Sequence, residues 1–255
     1  MNSHFNAIIL SMTITMLIVL GYTAYEANSI SSNNLEQGNS ISQYAEGKMP
    51  ELNYYDDYED LHPITKDAVV YPIFTQGAYQ LGAIHDFYVG YCDYCLNATI
   101  QDYYEKTFVS SGNGYRILEF LGYEVIDDID IDKNPSILDQ YDKVILLHNE
   151  FVTKKEFDAI TQHPKVIYLY PHALSSKIQT DYTKNIFTLI RGPGFPDKNI
   201  TNGFDWEYDN SKYFNDWSCI DWSFYKIRNG YMLNCYPETE LPHYGYEILK
   251  AIKSL

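Results

Sequence analysis

Positive charge is scarce in this chain. Its 255 residues hold 18 Lys and Arg against 34 Asp and Glu, a net charge of -16. Nucleic-acid binding needs a basic footprint, and none is visible, so no nucleic-acid partner is expected. Anionic lipid headgroups are repelled by the same balance, which serves mainly solubility. Several fingerprints are missing as well. There is no Gly-x-Ser-x-Gly elbow, no Walker loop and no dinucleotide fingerprint. Arg191-Gly192-Pro193-Gly194 is Gly-rich, but its proline removes an amide donor that a phosphate cradle needs. It reads as a turn. No repeat period is present.

Cysteine is sparse too, at four residues: Cys92, Cys95, Cys219 and Cys235. An even count in an extracytoplasmic chain reads first as disulfides. The most local pairing joins Cys92 to Cys95 and Cys219 to Cys235. A structural zinc site is the competing reading, although the second pair is too widely spaced for a ribbon knuckle. Cys92-Asp-Tyr-Cys95 neither follows a strand nor opens a helix, which argues against a thioredoxin-type redox role.

Charge is absent altogether from Ala7 to Ala24. An apolar run of about 18 residues is long enough to span a bilayer. No small-x-small cleavage site follows it, so residues 1–25 are expected to be an uncleaved anchor rather than a signal segment. The expected location is the cell membrane, single-pass, with the C-terminal part outside the cytoplasm; the alternative is a secreted protein. The partners then are the membrane, through this helix, and proteins of the cell envelope. Residues 26–65 are polar and acidic with few aliphatics and read as a linker. Residues 66–255 are the working domain. Asn97-Ala98-Thr99 and Asn199-Ile200-Thr201 are sequons that permit glycan at Asn97 and Asn199 outside the membrane.

Asp67 to Phe74 reads as a strand, and Thr75 to Thr99 as an irregular Gly- and Tyr-rich stretch. From Gly114 to Tyr170 helical and strand patterns alternate with short links. Lys143 to Leu147 and Lys165 to Tyr170 are apolar on both faces, as in a covered parallel sheet. Thr153 with Glu156 forms a capping box. The alternation predicts a doubly wound α/β sheet. Lys177 to Asp181 and Asn185 to Arg191 read as a β-hairpin. A long aromatic loop covers residues 192–230, then come a last strand at Tyr231–Cys235 and a closing helix.

Ligands of open parallel sheets sit beyond the C-terminal strand ends. Leu147-His148-Asn149-Glu150 lies at such an end and joins an imidazole to a carboxylate. Thr75 to Tyr88 leaves another strand end, and Pro171-His172 a third. Taken with the alternation, Tyr79-Gln80-Leu81-Gly82 through Asp86-Phe87-Tyr88 and His148-Asn149-Glu150-Phe151 resemble the C-terminal domain of the large (β) subunit of N,N-dimethylformamidase. The resemblance covers about residues 68 to 172. It implies a class I glutamine-amidotransferase-like, flavodoxin-type fold. It also implies a mononuclear iron amidohydrolase site: Glu150 with Tyr79 or Tyr88 on the metal, and His148 as acid/base or substrate partner. Phenolate and carboxylate are hard donors suited to Fe(III). The chain departs from the family at Gln80, Ala83 and Asp86-Phe87. Amidotransferase activity is not expected, because the elbow carries no cysteine.

The first functional reading is a membrane-anchored surface or binding protein on this scaffold, with no retained chemistry. The alternative is an iron-dependent amidohydrolase acting on a small amide-type substrate through His148 and Glu150. The two are separated by whether Tyr79 or Tyr88 reaches Glu150. A third reading, a sugar-binding module, needs Trp206, Trp217 or Trp222 exposed as a platform, whereas such aromatics more often pack a loop. Asp205, Asp209, Asp216 and Asp221 lack the ligand order of a calcium loop.

Overall fold

In a computed structural model of the chain, residues 58–101, 106–208 and 216–255 are described. They fall within one compact unit, Met49–Leu255. The expected anchor and nearly all of the linker lie outside the described residues. Among the described residues no helix is long and apolar enough to cross a membrane.

β1 (Asp67–Tyr71) is buried throughout. The apolar run was expected to continue as strand to Phe74, but the strand stops at Pro72. That residue lacks an N–H for the ladder, and its fixed φ suits a helix start. α1 (Ile73–Ala78) follows with all six residues buried. Periodicity alone cannot separate such a helix from a buried strand. The stretch expected to be irregular contains α2 (Ile84–Tyr88) and β2 (Asn97–Thr99).

The chain continues through α3 (Gly112–Phe120), β3 (Glu124–Asp127), α4 (Asp128–Lys133) and β4 (Lys143–Leu146). The acidic run after β3 thus opens a helix, capped by Asp127, whose side chain accepts from the Asp130 N–H. Asn134 makes no side-chain cap bond and precedes a 3-10 helix, Pro135–Gln140. β5 (Phe151–Thr153), α5 (Lys154–Gln162) and β6 (Val166–Tyr168) come next, and the Thr153–Glu156 capping box forms as expected. The hairpin is β7 (Ser176–Asp181) with β8 (Ile186–Arg191). β9 (Phe224–Ile227) lies inside the stretch expected to be loop and pairs antiparallel with β10 (Gly230–Leu233). α6 (Leu241–Tyr244) and α7 (Tyr246–Ser254) close the chain.

The main sheet has the order β3-β1-β4-β6-β10-β9. Its first five members pair in parallel. In chain order they run second, first, third, fourth, fifth, the flavodoxin-type arrangement. Side chains alternate between two cores. Val69, Ile145 and Ile167 pack with Leu118 of α3 and Ile252 of α7. Ala68, Val70, Val144 and Val166 pack with Ile131 of α4 and Ile160 of α5. Both faces are covered, as the two-sided apolar strands require. A second sheet, β2-β8-β7-β5, stands beside it.

Candidate functional site

In this strand order the crossovers reverse direction between β1 and β4, the place beyond the C-terminal strand ends where open α/β sheets put their ligands. The chain leaving β1 enters α1; the chain leaving β4 carries His148, Asn149 and Glu150. Thr75 joins the two. Its buried hydroxyl accepts from Glu150 N at 2.9 Å and Phe151 N at 3.3 Å, while its carbonyl accepts from Tyr79 N at 3.1 Å. One threonine therefore sets the spacing of Tyr79 and Glu150.

Those two side chains meet. The Tyr79 hydroxyl donates to Glu150 Oε2 at 3.0 Å. His148 Nε2 stands 3.5 Å from the same oxygen, and His172 Nδ1 stands 3.9 Å from Oε1. Burial by itself raises the Glu150 pKa. The His148 hydrogen bond, the charges of His172 and His148 and the Tyr79 hydroxyl outweigh it and hold the carboxyl below its ordinary value. Burial first, and the Glu150 charge next, push the Tyr79 phenol well up. His85 stacks on the Tyr79 ring with centroids 4.3 Å apart.

The tautomer of His148 follows from its neighbours. Nδ1 lies 2.9 Å from the Val109 carbonyl, which can only accept, so Nδ1 carries the proton. The Tyr236 oxygen, 3.3 Å away, gives its own hydrogen to the Phe108 carbonyl and shares the acceptor role. Nε2 is therefore the nitrogen turned to Glu150 and Tyr79. The His148 backbone N–H is held by Ser111 Oγ at 3.1 Å. Ser111 has φ 57° and stands directly before α3.

A second buried carboxyl lies behind this group. Glu238 accepts from Asn113 N at 2.5 Å, Gly114 N at 3.1 Å and the Tyr170 hydroxyl at 2.7 Å. Burial pushes its pKa up to about 8 against those hydrogen bonds. The Tyr170 and Tyr236 rings touch edge to face, 4.7 Å between centroids. Tyr236 and Glu238 follow the fifth parallel strand. They were not singled out as a pair from sequence, although the rule that ligands gather at strand ends applies to that strand too.

The other site expectations resolve as follows. Tyr88 feels the Glu150 charge, but burial is the main cause raising its pKa, and its hydroxyl lies 3.5 Å from Ser176 Oγ. No hydrogen bond between Tyr88 and Glu150 is formed among the described residues. Cys92–Cys95 and Cys219–Cys235 are both disulfides, the most local pairing. Zinc ligation by these cysteines is thereby ruled out, since no thiol is free among the described residues. Asn97 and Asn199 are exposed, on β2 and on a turn. Trp206 packs against Phe157 and Tyr168, and Trp222 packs against Phe224, so neither forms a sugar platform. Trp217 rests on Phe108 and is exposed, at 38 %. Arg191 ends in an ion pair with Asp205, and the Gly-rich segment after it is a turn.

The metal that the resemblance implies sets a distance between its donor atoms. Two oxygens on adjacent positions of a hard cation, each about 2.1 Å from it, stand about 3 Å apart. Tyr79 Oη and Glu150 Oε2 have that separation, 3.0 Å. Among the described residues no group of three or more His, Cys, Asp or Glu could hold a metal. Comparison with protein-family models gave no match, and comparison with curated proteins gave none either.

Proposed function

We propose that the domain is an extracytoplasmic, iron-dependent hydrolase of a small amide-type substrate, on an amidotransferase-like scaffold without amidotransferase activity. The observation that carries this reading is the half-buried Tyr79–Glu150 oxygen pair, 3.0 Å apart, with an imidazole nitrogen 3.5 Å from the same carboxylate. A buried carboxylate held ionised by two imidazoles and a phenol at a strand end is the kind of perturbed group that gathers at functional sites. Glu150 and Tyr79 would hold the cation, with Tyr88 as a nearby further phenol. When bound, a hard cation polarises a carbonyl and acidifies water. His148, with Nδ1 tied to the Val109 carbonyl and Nε2 turned to Glu150, would serve as the acid that gives a proton to the leaving amine. The two disulfides fit an oxidising compartment.

The test is metal content of the full chain, made under oxidising conditions and purified without chelators, beside Glu150→Ala and Tyr79→Phe. Near-stoichiometric iron, lost in Glu150→Ala, supports the hydrolase, and amide substrates are then screened. No metal after attempted reconstitution returns the reading to an envelope-binding protein.

A further inference from the structure

The turn between β6 and β7, residues 171–174, brings a second imidazole to Glu150, on its other oxygen. His172 and Leu174 both hold left-handed backbone, with φ 65° and 58°. That region is unfavourable for a residue with a Cβ, and such residues persist where their surroundings fix them. Here Ala173 and Leu174 belong to the core that holds Val152 and Tyr168. Leu174 N donates to the Asn149 carbonyl at 2.8 Å, and Ser176 N to the Glu150 carbonyl at 3.0 Å. The turn is thus strapped to the two residues that present the carboxylate. Between Pro171 and Ser176 every residue but His172 is buried. The His172 side chain is 20% exposed, yet its Nδ1 is buried and stands 3.9 Å from Glu150 Oε1.

A separation of 3.9 Å is too long for a hydrogen bond. It falls within the span of two donors on one cation. Atoms each about 2.1 Å from a metal stand about 3.0 Å apart at a right angle and about 4.2 Å apart in line. A carboxylate can also bind a hard cation through both of its oxygens. Glu150 Oε2 faces the Tyr79 phenol at 3.0 Å, and Oε1 faces the His172 imidazole at 3.9 Å. We propose that His172 is a ligand of the cation through Nδ1, completing with Tyr79 and Glu150 a site of mixed oxygen and nitrogen donors. This deepens the iron reading above and rests on it. Imidazole and carboxylate are both ligands of non-haem iron. The set contains one His and one Glu, in keeping with the absence of a three-member His, Cys, Asp or Glu group among the described residues. The left-handed turn then has a purpose: it gives up backbone ease to aim one ring nitrogen at the carboxylate.

The test is iron binding by the full chain, disulfides intact, in wild type and His172→Gly. Glycine adopts the left-handed backbone freely, so the variant is expected to keep a urea midpoint close to wild type. Its iron affinity in chelator competition is expected to fall about a hundredfold or more, since even partners behind the ligands are worth about 10–100-fold. Pulsed EPR of the ferric wild type is expected to show coupling to a directly bound nitrogen. His172→Gly should lose that coupling, and added imidazole, filling the space left by the side chain, should restore it. A change of the coupling with ¹⁵N-imidazole identifies the added ring as the ligand. Should the glycine variant not fold, His172→Asn, which also tolerates the left-handed region, is read in the same way. Iron bound by wild type and variant with equal affinity and an unchanged nitrogen signal overturns the ligand assignment and leaves the iron reading standing. A wild-type chain that takes up no iron overturns both.

Discussion

Thr75 shows how much one hydroxyl can organise. It is the buried acceptor for two backbone N–H groups of the Glu150 turn, and its own carbonyl fixes the Tyr79 backbone. A Val at this position keeps the shape and removes the acceptor of Phe151 N, while Glu150 N keeps its bond to the His148 carbonyl. Thr75→Val is expected to cost about 1–3 kcal/mol, whereas Thr75→Ser keeps most of the stability. Urea midpoints for the two variants check this. Tyr79→Phe is a milder change, because the ring still packs against His85 and Phe151. It removes the one hydroxyl that donates to Glu150. Iron retention, measured by chelator competition, is expected to weaken about tenfold or more, the equivalent of a charged hydrogen bond of roughly 1.5–3 kcal/mol. Stability should change far less.

At the scale of elements, the closing helix is anchored by a residue from the sheet. Lys143 of β4 is buried, and its Nζ donates to the Ile252 carbonyl at 2.8 Å and the Lys253 carbonyl at 3.2 Å at the end of α7. The same nitrogen is 3.4 Å from Asp67 of β1, equally buried. A cation at a helix C-terminus complements its dipole and its unsatisfied carbonyls. Lys143→Met leaves Asp67 buried and unpaired, for an expected loss of about 3–5 kcal/mol. Adding Asp67→Leu should recover much of it, since removing both charges avoids the desolvation cost. A double-mutant cycle by urea unfolding tests the coupling. The cross-links contribute unequally for a different reason. Cys219 and Cys235 are 16 residues apart and Cys92 and Cys95 only 3. In the chain-entropy view the longer loop is worth about 3 kcal/mol. Replacing Cys219 and Cys235 by Ser should therefore lower the melting temperature more than replacing the shorter pair.

For the molecule as a whole, buried carboxyls with opposite shifts set the pH range of stability. Glu238 has its pKa raised, so the folded chain holds a proton that the unfolded chain releases above about pH 4. That contribution is complete below the unfolded value and is lost as pH rises towards about 8, the folded value. Glu150 is lowered, so its contribution is present above the unfolded value and is lost as acid protonates it. Stability is expected to peak on the mildly acidic side of neutrality, and Glu238→Gln should flatten the alkaline limb. Calorimetry between pH 4 and pH 9 measures both effects. An unchanged alkaline limb in that variant would exclude Glu238 as a source of the slope.

The sequence by itself determined the sheet. Val144 to Leu146 and Val166 to Tyr168 are apolar on both faces, and short links leave parallel pairing with helices on each side as the way to cover them. Thr153 with Glu156 announced a helix start, and the cysteine spacing announced two local cross-links. His148 and Glu150 were legible because an imidazole and a carboxylate stood together at a strand end. What only the tertiary structure decided depends on contacts between distant segments. Pro72 turns an apolar run from strand into helix, a switch that periodicity cannot register. Tyr79 lies 71 residues from Glu150, and only the folded sheet brings their oxygens to 3.0 Å. Tyr236 and Glu238 join the site because β10 takes the fifth place among the parallel strands. Asp128 and Glu156 have no exposed surface, which pattern alone does not report. Pattern reports which face of an element is apolar; burial and the meeting of charges belong to the assembled fold.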